Sequence, residues 1–238
     1  MTIVVAHRGD PVNHLGNTLE AFESAAALGA DMIELDCRVT ADGQVVVVHD
    51  ETLARPWGVH KPVAALTWEQ VCAVGQDGRR IPRLADILRA TQLPVMVDMP
   101  GIEVVDASLA VVREAGALGR CVFAGRTGAL VRLRQMAPSA RIALSWDKRE
   151  LPGPELLNST KPEFFNPYWR LVSARVVADM HSAGVGVSVW TLDRRWEMRR
   201  VLRMGVDAVI TNQTARLVAL LGKNYRKSGP FAGPDGGP

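Results

Sequence analysis

Short apolar runs alternate with stretches of helical periodicity along nearly the whole chain. The runs are Ile3 to Ala6, Met32 to Asp36, Val95 to Met99, Cys121 to Ala124, Arg141 to Ser145, Phe164 to Asn166, Val185 to Trp190 and Ala208 to Thr211. Between them, apolar positions spaced at three and four residues predict helices near 82–92, 102–115, 127–137, 173–183, 194–204 and 213–221. An earlier helix opens at Asn17 to Glu20, which has the spacing of a capping box, turns Leu19, Phe22 and Ala26 inward and stops at Gly29. Two joints share one pattern: Leu28-Gly29-Ala30-Asp31 leads into Met32, and Met204-Gly205-Val206-Asp207 leads into Ala208. A helix ending in glycine and passing directly into a strand is the short connection of repeating βα units. Eight runs in 238 residues, with no phosphate-binding GxGxxG, predict an α/β fold of the TIM (β/α)8 class rather than an open sheet.

One run breaks the rhythm. Val45 to Val48 follows the second strand after only Thr40-Ala41-Asp42-Gly43, far too short a link for a parallel crossover. It must fold back as a β-hairpin extension, and Asp42-Gly43 is the signal of a two-residue type I′ turn. That turn pairs Ala41 with Gln44, Cys37 with Val48 and Asp36 with His49.

Composition narrows the picture further. A hydrophobic content of 47% and a charged content of 22% suit an ordinary globular chain able to bury a full core. Residues 1–222 are expected to form one catalytic domain, followed by a basic, glycine-rich disordered tail over 223–238. The net charge of +3 comes from arginine-bearing helices and from Lys223, Arg226 and Lys227, and is read as no sign of a nucleic-acid partner. The Arg194, Arg195, Arg199, Arg200 and Arg203 set is read as a solvated helix face. Cys37, Cys72 and Cys121 are odd in number and lack a CxxC pattern, so they read as reduced, buried thiols of a cytoplasmic protein. Four apolar residues before His7 are too few for a signal peptide, and no uncharged stretch approaches the ~18 residues of a membrane span. No stable membrane insertion is therefore expected.

The candidate chemistry collects at strand ends. Glu34 and Asp36 lie two apart in the second strand, so both project from one face at its carboxyl end, where barrel enzymes keep their active sites. Two carboxylates held roughly 7 Å apart repel unless a positive charge sits between them. Asp98, in the next parallel strand, adds a third acid at an equivalent height. Hard oxygen ligands without thiolate or HExxH spacing favour one divalent cation, Mg²⁺ or Ca²⁺, over zinc. His7 and His49 are the candidate acid and base, and Arg8 offers a fork suited to a substrate phosphate. Together these point to phosphoryl transfer from a small anionic ester. Trp190, ending the seventh strand, is either core or a wall of the substrate pocket. His14, His60 and His181 read as ordinary loop or helix residues.

The chain resembles the glycerophosphodiester phosphodiesterase family. The resemblance rests on Ala6-His7-Arg8-Gly9, Asn17-Thr18-Leu19-Glu20-Ala21-Phe22, Ile33-Glu34-Leu35-Asp36, Thr40-Ala41-Asp42-Gly43 and His49-Asp50-Glu51-Thr52-Leu53. It continues through Ile81-Pro82-Arg83-Leu84, Val189-Trp190-Thr191-Leu192-Asp193 and Gly205 to Asn212. The resemblance implies a TIM barrel that hydrolyses a glycerophosphodiester to glycerol 3-phosphate and an alcohol. It further implies a cation held by Glu34, Asp36 and Asp98, His7 and His49 as acid and base, and a cyclic phosphate formed by attack of the glycerol 2-hydroxyl.

Several positions depart from that pattern. Gly16 stands where the family has Glu, and Asp98 replaces the usual Glu, as in the related sphingomyelinase D type enzymes. Pro100 stands where a Lys is expected, Gly125-Arg126 replaces a Ser-Phe pair, and Asn212 stands where Asp is common. Arg126 is a candidate to restore the missing positive charge. These departures motivate two competing readings: a related phosphodiesterase acting on a lysophospholipid or a specialised-metabolite diester, and a barrel that binds a phosphodiester without turning it over.

Overall fold

The computed structural model describes residues 1–55, 57–75 and 78–222, so the tail expected over 223–238 lies outside the described residues. The chain begins with β1 (Ile3–His7), α1 (Leu19–Ala27), β2 (Met32–Val39), β3 (Val45–Val47), β4 (Thr52–Leu53) and β5 (Val59–Pro62). It continues with α2 (Trp68–Cys72), α3 (Leu84–Ala90), β6 (Val95–Met99), α4 (Val105–Glu114), β7 (Cys121–Gly125), α5 (Thr127–Met136) and β8 (Arg141–Trp146). The last third comprises α6 (Pro154–Thr160), β9 (Phe164–Pro167), α7 (Ala174–Ser182), β10 (Gly186–Val189), α8 (Arg195–Arg203), β11 (Ala208–Thr211) and α9 (Thr214–Leu221).

Eight parallel strands close a barrel in the order β1, β2, β6, β7, β8, β9, β10, β11 and back to β1. β3 pairs antiparallel with β2 outside the ring, and β4 with β5 makes a separate two-stranded sheet. The fold is the TIM barrel that eight apolar runs predict.

Alternation along each stave sorts its side chains into two layers. Ile33, Leu35 and Cys37 of β2 face the helical layer with Val95, Val97 and Met99 of β6 and with Phe123 of β7, all buried. The opposite faces supply Met32, Met96 and Val122, which pack inside the barrel with Val5, Ala143 and Phe164. Moving up the inner face of β2, Met32 gives way to Glu34 and then Asp36; on β6, Met96 gives way to Asp98. The barrel is therefore apolar below and acidic at its carboxyl-end mouth.

The hairpin differs in register from the sequence expectation. Cys37 faces Val47, Arg38 faces Val46 and Val39 faces Val45, one residue off the two-residue turn. Thr40 explains the shift: its Oγ1 accepts from Gln44 N at 2.9 Å and donates to Asp42 Oδ1 at 2.5 Å. With Thr40 N donating to Gln44 O and Gly43 N to Thr40 O, a three-residue loop forms whose Gly43 sits at φ +82. Asp36 consequently faces Val48, whose N–H donates to Asp36 O at 3.0 Å, and His49 lies one residue beyond the expected pairing.

Three other expectations are corrected. The first helix is capped by Thr18, whose hydroxyl accepts from Ala21 N, and not by Asn17; its buried residues are Ala21, Phe22 and Ala25. Cys37 and Cys121 are buried, but Cys72 ends the short α2 in solvent. β4, β5, α2 and α6 are too short for a clear periodicity and were not separable in the sequence.

Candidate active site

The barrel register builds the site. His7, last residue of β1, lies beside Glu34 of β2, and Asp36 lies beside Asp98 of β6. Immediately after β1 the chain turns on Arg8 (φ 57) and Gly9 (φ 82), both left-handed. A Cβ at Gly9 would fall 2.6 Å from the backbone carbonyl of Ala21, so only glycine lets the turn lie against α1. That turn brings Arg8 back over the acids. Its backbone N–H donates to Glu34 Oε2 at 3.1 Å, and its Nε lies 2.9 Å from Asp36 Oδ2.

Two asparagines complete the arrangement. Asn17, buried and left-handed at φ 63, donates from Nδ2 to Asp36 Oδ2 at 2.7 Å. Asn212 offers Oδ1 to His7 Nδ1 at 2.7 Å, while its Nδ2 donates to Asp193 Oδ2 at 2.8 Å. Because the amide donor is committed to Asp193, the amide oxygen must accept, so neutral His7 carries its proton on Nδ1. Nε2 is then the basic nitrogen, 3.9 Å from Glu34 Oε2.

His49 is supported differently. Its side chain is half exposed, with Nδ1 2.8 Å from Asp50 Oδ1, and the Arg38 guanidinium donates to its backbone carbonyl at 2.8 and 3.2 Å. The His49 hydrogen bond holds the Asp50 carboxyl below its ordinary value, so Asp50 is an ionised acceptor.

Electrostatics at the mouth is frustrated. Burial first, then the charges of Asp36 and Asp98, push Glu34 well above its ordinary value, with Arg8 opposing. Burial and Asp36 raise the Asp98 carboxyl to about 7. For His7, burial and the neighbouring Arg8 lower the pKa, against the opposing pull of Asn212, Asp36 and Asp193.

All seven residues singled out in the sequence, His7, Arg8, Glu34, Asp36, His49, Asp98 and Trp190, line one cavity of about 730 Å³. Pro100 and the exposed Arg126 line it too, the latter held at the rim by its backbone N–H on Met99 O at 3.1 Å. Trp190 donates from Nε1 to Asn166 O at 2.7 Å, so it is both anchored in the barrel and part of the cavity wall. The histidines read as ordinary stay outside: His14 and His60 are exposed, and His181 bonds Asp207 at 2.7 Å. Sequence reasoning missed Asn17, Asn212, Asp193 and Asp50 as supports; their only signal was membership in the quoted motifs. Among the described residues, no three His, Cys, Asp or Glu side chains stand close enough to hold a metal ion as they are posed here. No described helix is long and apolar enough to cross a membrane.

Comparison with known proteins identifies relatives of the chain and of its fold. Residues 7–216 match the glycerophosphoryl diester phosphodiesterase family. A glycerophosphodiester phosphodiesterase of Caldanaerobacter subterraneus subsp. tengcongensis is 29% identical over 241 residues, covering 93% of this chain and 98% of that protein. The crystal structure of a glycerophosphodiester phosphodiesterase from Thermotoga maritima superimposes with a TM-score of 0.81 at 25% identity, covering 92% of this chain and 98% of that one. An Oleispira antarctica phosphodiesterase, solved in complex with sn-glycerol-3-phosphate, shares the fold with a TM-score of 0.81 at 20% identity, over 93% of this chain and 97% of that one. A closed barrel, an acidic mouth flanked by two imidazoles and a family match over most of the chain lead to one conclusion: the protein belongs to the glycerophosphoryl diester phosphodiesterase family.

Proposed function

We propose that the cavity hydrolyses a glycerophosphodiester to glycerol 3-phosphate and an alcohol through a cyclic phosphate, with His7 and His49 moving the protons. The observation that carries this reading is that both imidazoles line one cavity with their Nδ1 atoms already engaged, by Asn212 and by Asp50, leaving each Nε2 for exchange.

His7 suits the base. Burial and Arg8 lower its pKa, which keeps it neutral near pH 7, and Asn212 fixes the tautomer with a lone pair on Nε2. In the first step His7 takes the proton of the substrate's 2-hydroxyl as that oxygen attacks phosphorus. His49 protonates the leaving alkoxide as the other P–O bond breaks. In the second step the proton movements reverse: His49 takes a proton from water as the water oxygen attacks the cyclic phosphate, and His7 returns its proton to the 2-oxygen as the bond from that oxygen to phosphorus breaks. The internal nucleophile needs no separately ordered water in the first step. Arg8 and Arg126 line the cavity as guanidinium donors to the non-bridging oxygens.

Glu34, Asp36 and Asp98 would hold a divalent cation. They are hard oxygen donors, and the raised pKa values of Glu34 and Asp98 record burial first and then repulsion from Asp36, both of which a cation relieves. Mg²⁺ or Ca²⁺ bound there would supply positive charge to oxygens of the phosphoryl group.

The test is turnover of glycerophosphocholine with Mg²⁺ or Ca²⁺, followed by phosphorus NMR. Glycerol 3-phosphate is expected, with a transient cyclic phosphate, and neither should form with H49A or in saturating EDTA. A protein that binds the diester but leaves it intact would overturn the catalytic reading; full activity in EDTA would overturn the cation.

A further inference from the structure

Single exposed apolar side chains are common on soluble proteins, so their number means little and their distribution more. Among the described residues the large exposed ones are Met1, Val12, Ile102, Leu151 and Trp196. All except Met1 belong to segments that leave the carboxyl ends of barrel strands, the end that carries the catalytic cavity. Val12 follows β1, Ile102 follows β6, Leu151 follows β8 and Trp196 follows β10. In the ring order these are alternate staves, so the four sit about a quarter-turn apart around the mouth.

The same rim carries cations. On the half formed by β7 to β10 lie Arg126, Lys148, Arg149, Arg170, Arg194 and Arg195, all exposed. Down the outer face of α8, Arg199 and Arg200 continue the patch, and none of the exposed α8 arginines forms an ion pair with a described carboxylate. Acids on this half are fewer: Asp147, Glu150 and Glu155 are exposed, while Asp193 bonds Asn212. Trp196 meets the buried Trp169 edge-on at 5.5 Å, and Arg170 and Arg200 flank the Trp169 ring at 5.3 and 5.8 Å. The exposed indole is thus braced from behind and bordered by guanidinium groups.

Apolar tips spread round a ring define a plane, and basic groups beside amphipathic indole are the chemistry of a lipid interface. We infer that the mouth-bearing face of the barrel docks on an anionic phospholipid surface, with Val12, Ile102, Leu151 and Trp196 entering the headgroup layer and the β7–β10 arginines meeting lipid phosphates. The occupant is a bilayer rather than an acidic protein because the apolar contacts are dispersed around the rim and not gathered into one patch. Docking of this kind would point the cavity at the membrane without any spanning helix.

Cosedimentation of the full chain with vesicles tests this. Binding is expected to phosphatidylcholine vesicles containing about one quarter phosphatidylglycerol, weakening as salt rises, and not to pure phosphatidylcholine. R195E/R199E and V12S/L151S should each lower vesicle affinity at least about tenfold while turnover of a soluble diester, which also reports folding, stays unchanged. The V12S/L151S pair touches no aromatic stack. Failure to bind anionic vesicles, or binding undiminished in V12S/L151S, would overturn the inference. So would tighter binding to duplex DNA that only the charge reversals abolish, which would mark a nucleic-acid surface instead.

Discussion

Asn212 Oδ1 accepts from His7 Nδ1 at 2.7 Å, and the amide that offers it is itself held by Asp193 at 2.8 Å. The imidazole is aimed and its tautomer set by a neutral group, which Asp193 holds in turn. Removing a support of this kind characteristically costs a factor of 10–100 while the directly acting group remains. N212A should therefore lower kcat/KM by about that factor, mostly in kcat, with Tm near that of the wild type. H7A should lose far more, and H7A/N212A no more than H7A alone.

The acids at the mouth predict a pH-dependent response to cations. Without a cation, Asp98 has a folded pKa of about 7, raised above its ordinary 3.8. Its raised pKa means that this group's contribution to stability is greatest below 3.8 and is lost as pH climbs through about 7. A cation replaces the protons, so the Tm gain on adding Mg²⁺ or Ca²⁺ should be larger at pH 8 than at pH 5. Differential scanning calorimetry of wild type and D98N checks this: D98N should be the more stable without cation at pH 8 and should lose most of the gain.

Asp10 behaves in the opposite sense. Burial alone would raise its pKa, but hydrogen bonds from Asn13 Nδ2 at 2.9 Å and Ser24 Oγ at 2.7 Å hold it below 3.8. A depressed carboxylate stabilises the fold above its unfolded pKa and loses that contribution as pH falls through the folded value. D10N should cost about 1–2 kcal/mol at pH 7 in urea unfolding, and the gap to wild type should narrow below pH 3.8.

Gly9 offers a backbone test. At φ +82, with a Cβ due to fall 2.6 Å from Ala21, G9A must move the turn or α1. A loss of about 2 kcal/mol or more is expected, together with loss of activity, because Arg8 rides on the same turn. A thermal melt and a turnover assay on G9A decide it, while alanine at the unobstructed Gly119 is the control.

The staves were readable in the sequence because each shows a run of apolar residues with no competing pattern. The acids were readable too, since Glu34, Asp36 and Asp98 each stand two residues above an inward methionine or acid on the same face. The hairpin register was not. Asp42-Gly43 matches two turn types, and what decides between them is the Thr40 hydroxyl reaching Gln44 and Asp42. Asn17 was hidden for a similar reason: at a helix start its amide reads as a cap, whereas Thr18 caps and Asn17 bends back onto Asp36. Asn212 and Asp193 meet across a gap of nineteen residues that no local pattern spans.

Glu34 and Asp36 share β2 with Leu35 and Cys37, one pair facing the lumen and the other packed under the helices. Deleting a single residue just before Glu34 would swap the two sets, thrusting both carboxylates into oil and a leucine and a thiol into the mouth. The length of this stave is consequently frozen, whereas the loops around it are at liberty to change. Diversification in such a barrel is confined to its crown, where Gly16, Pro100 and Arg126 stand.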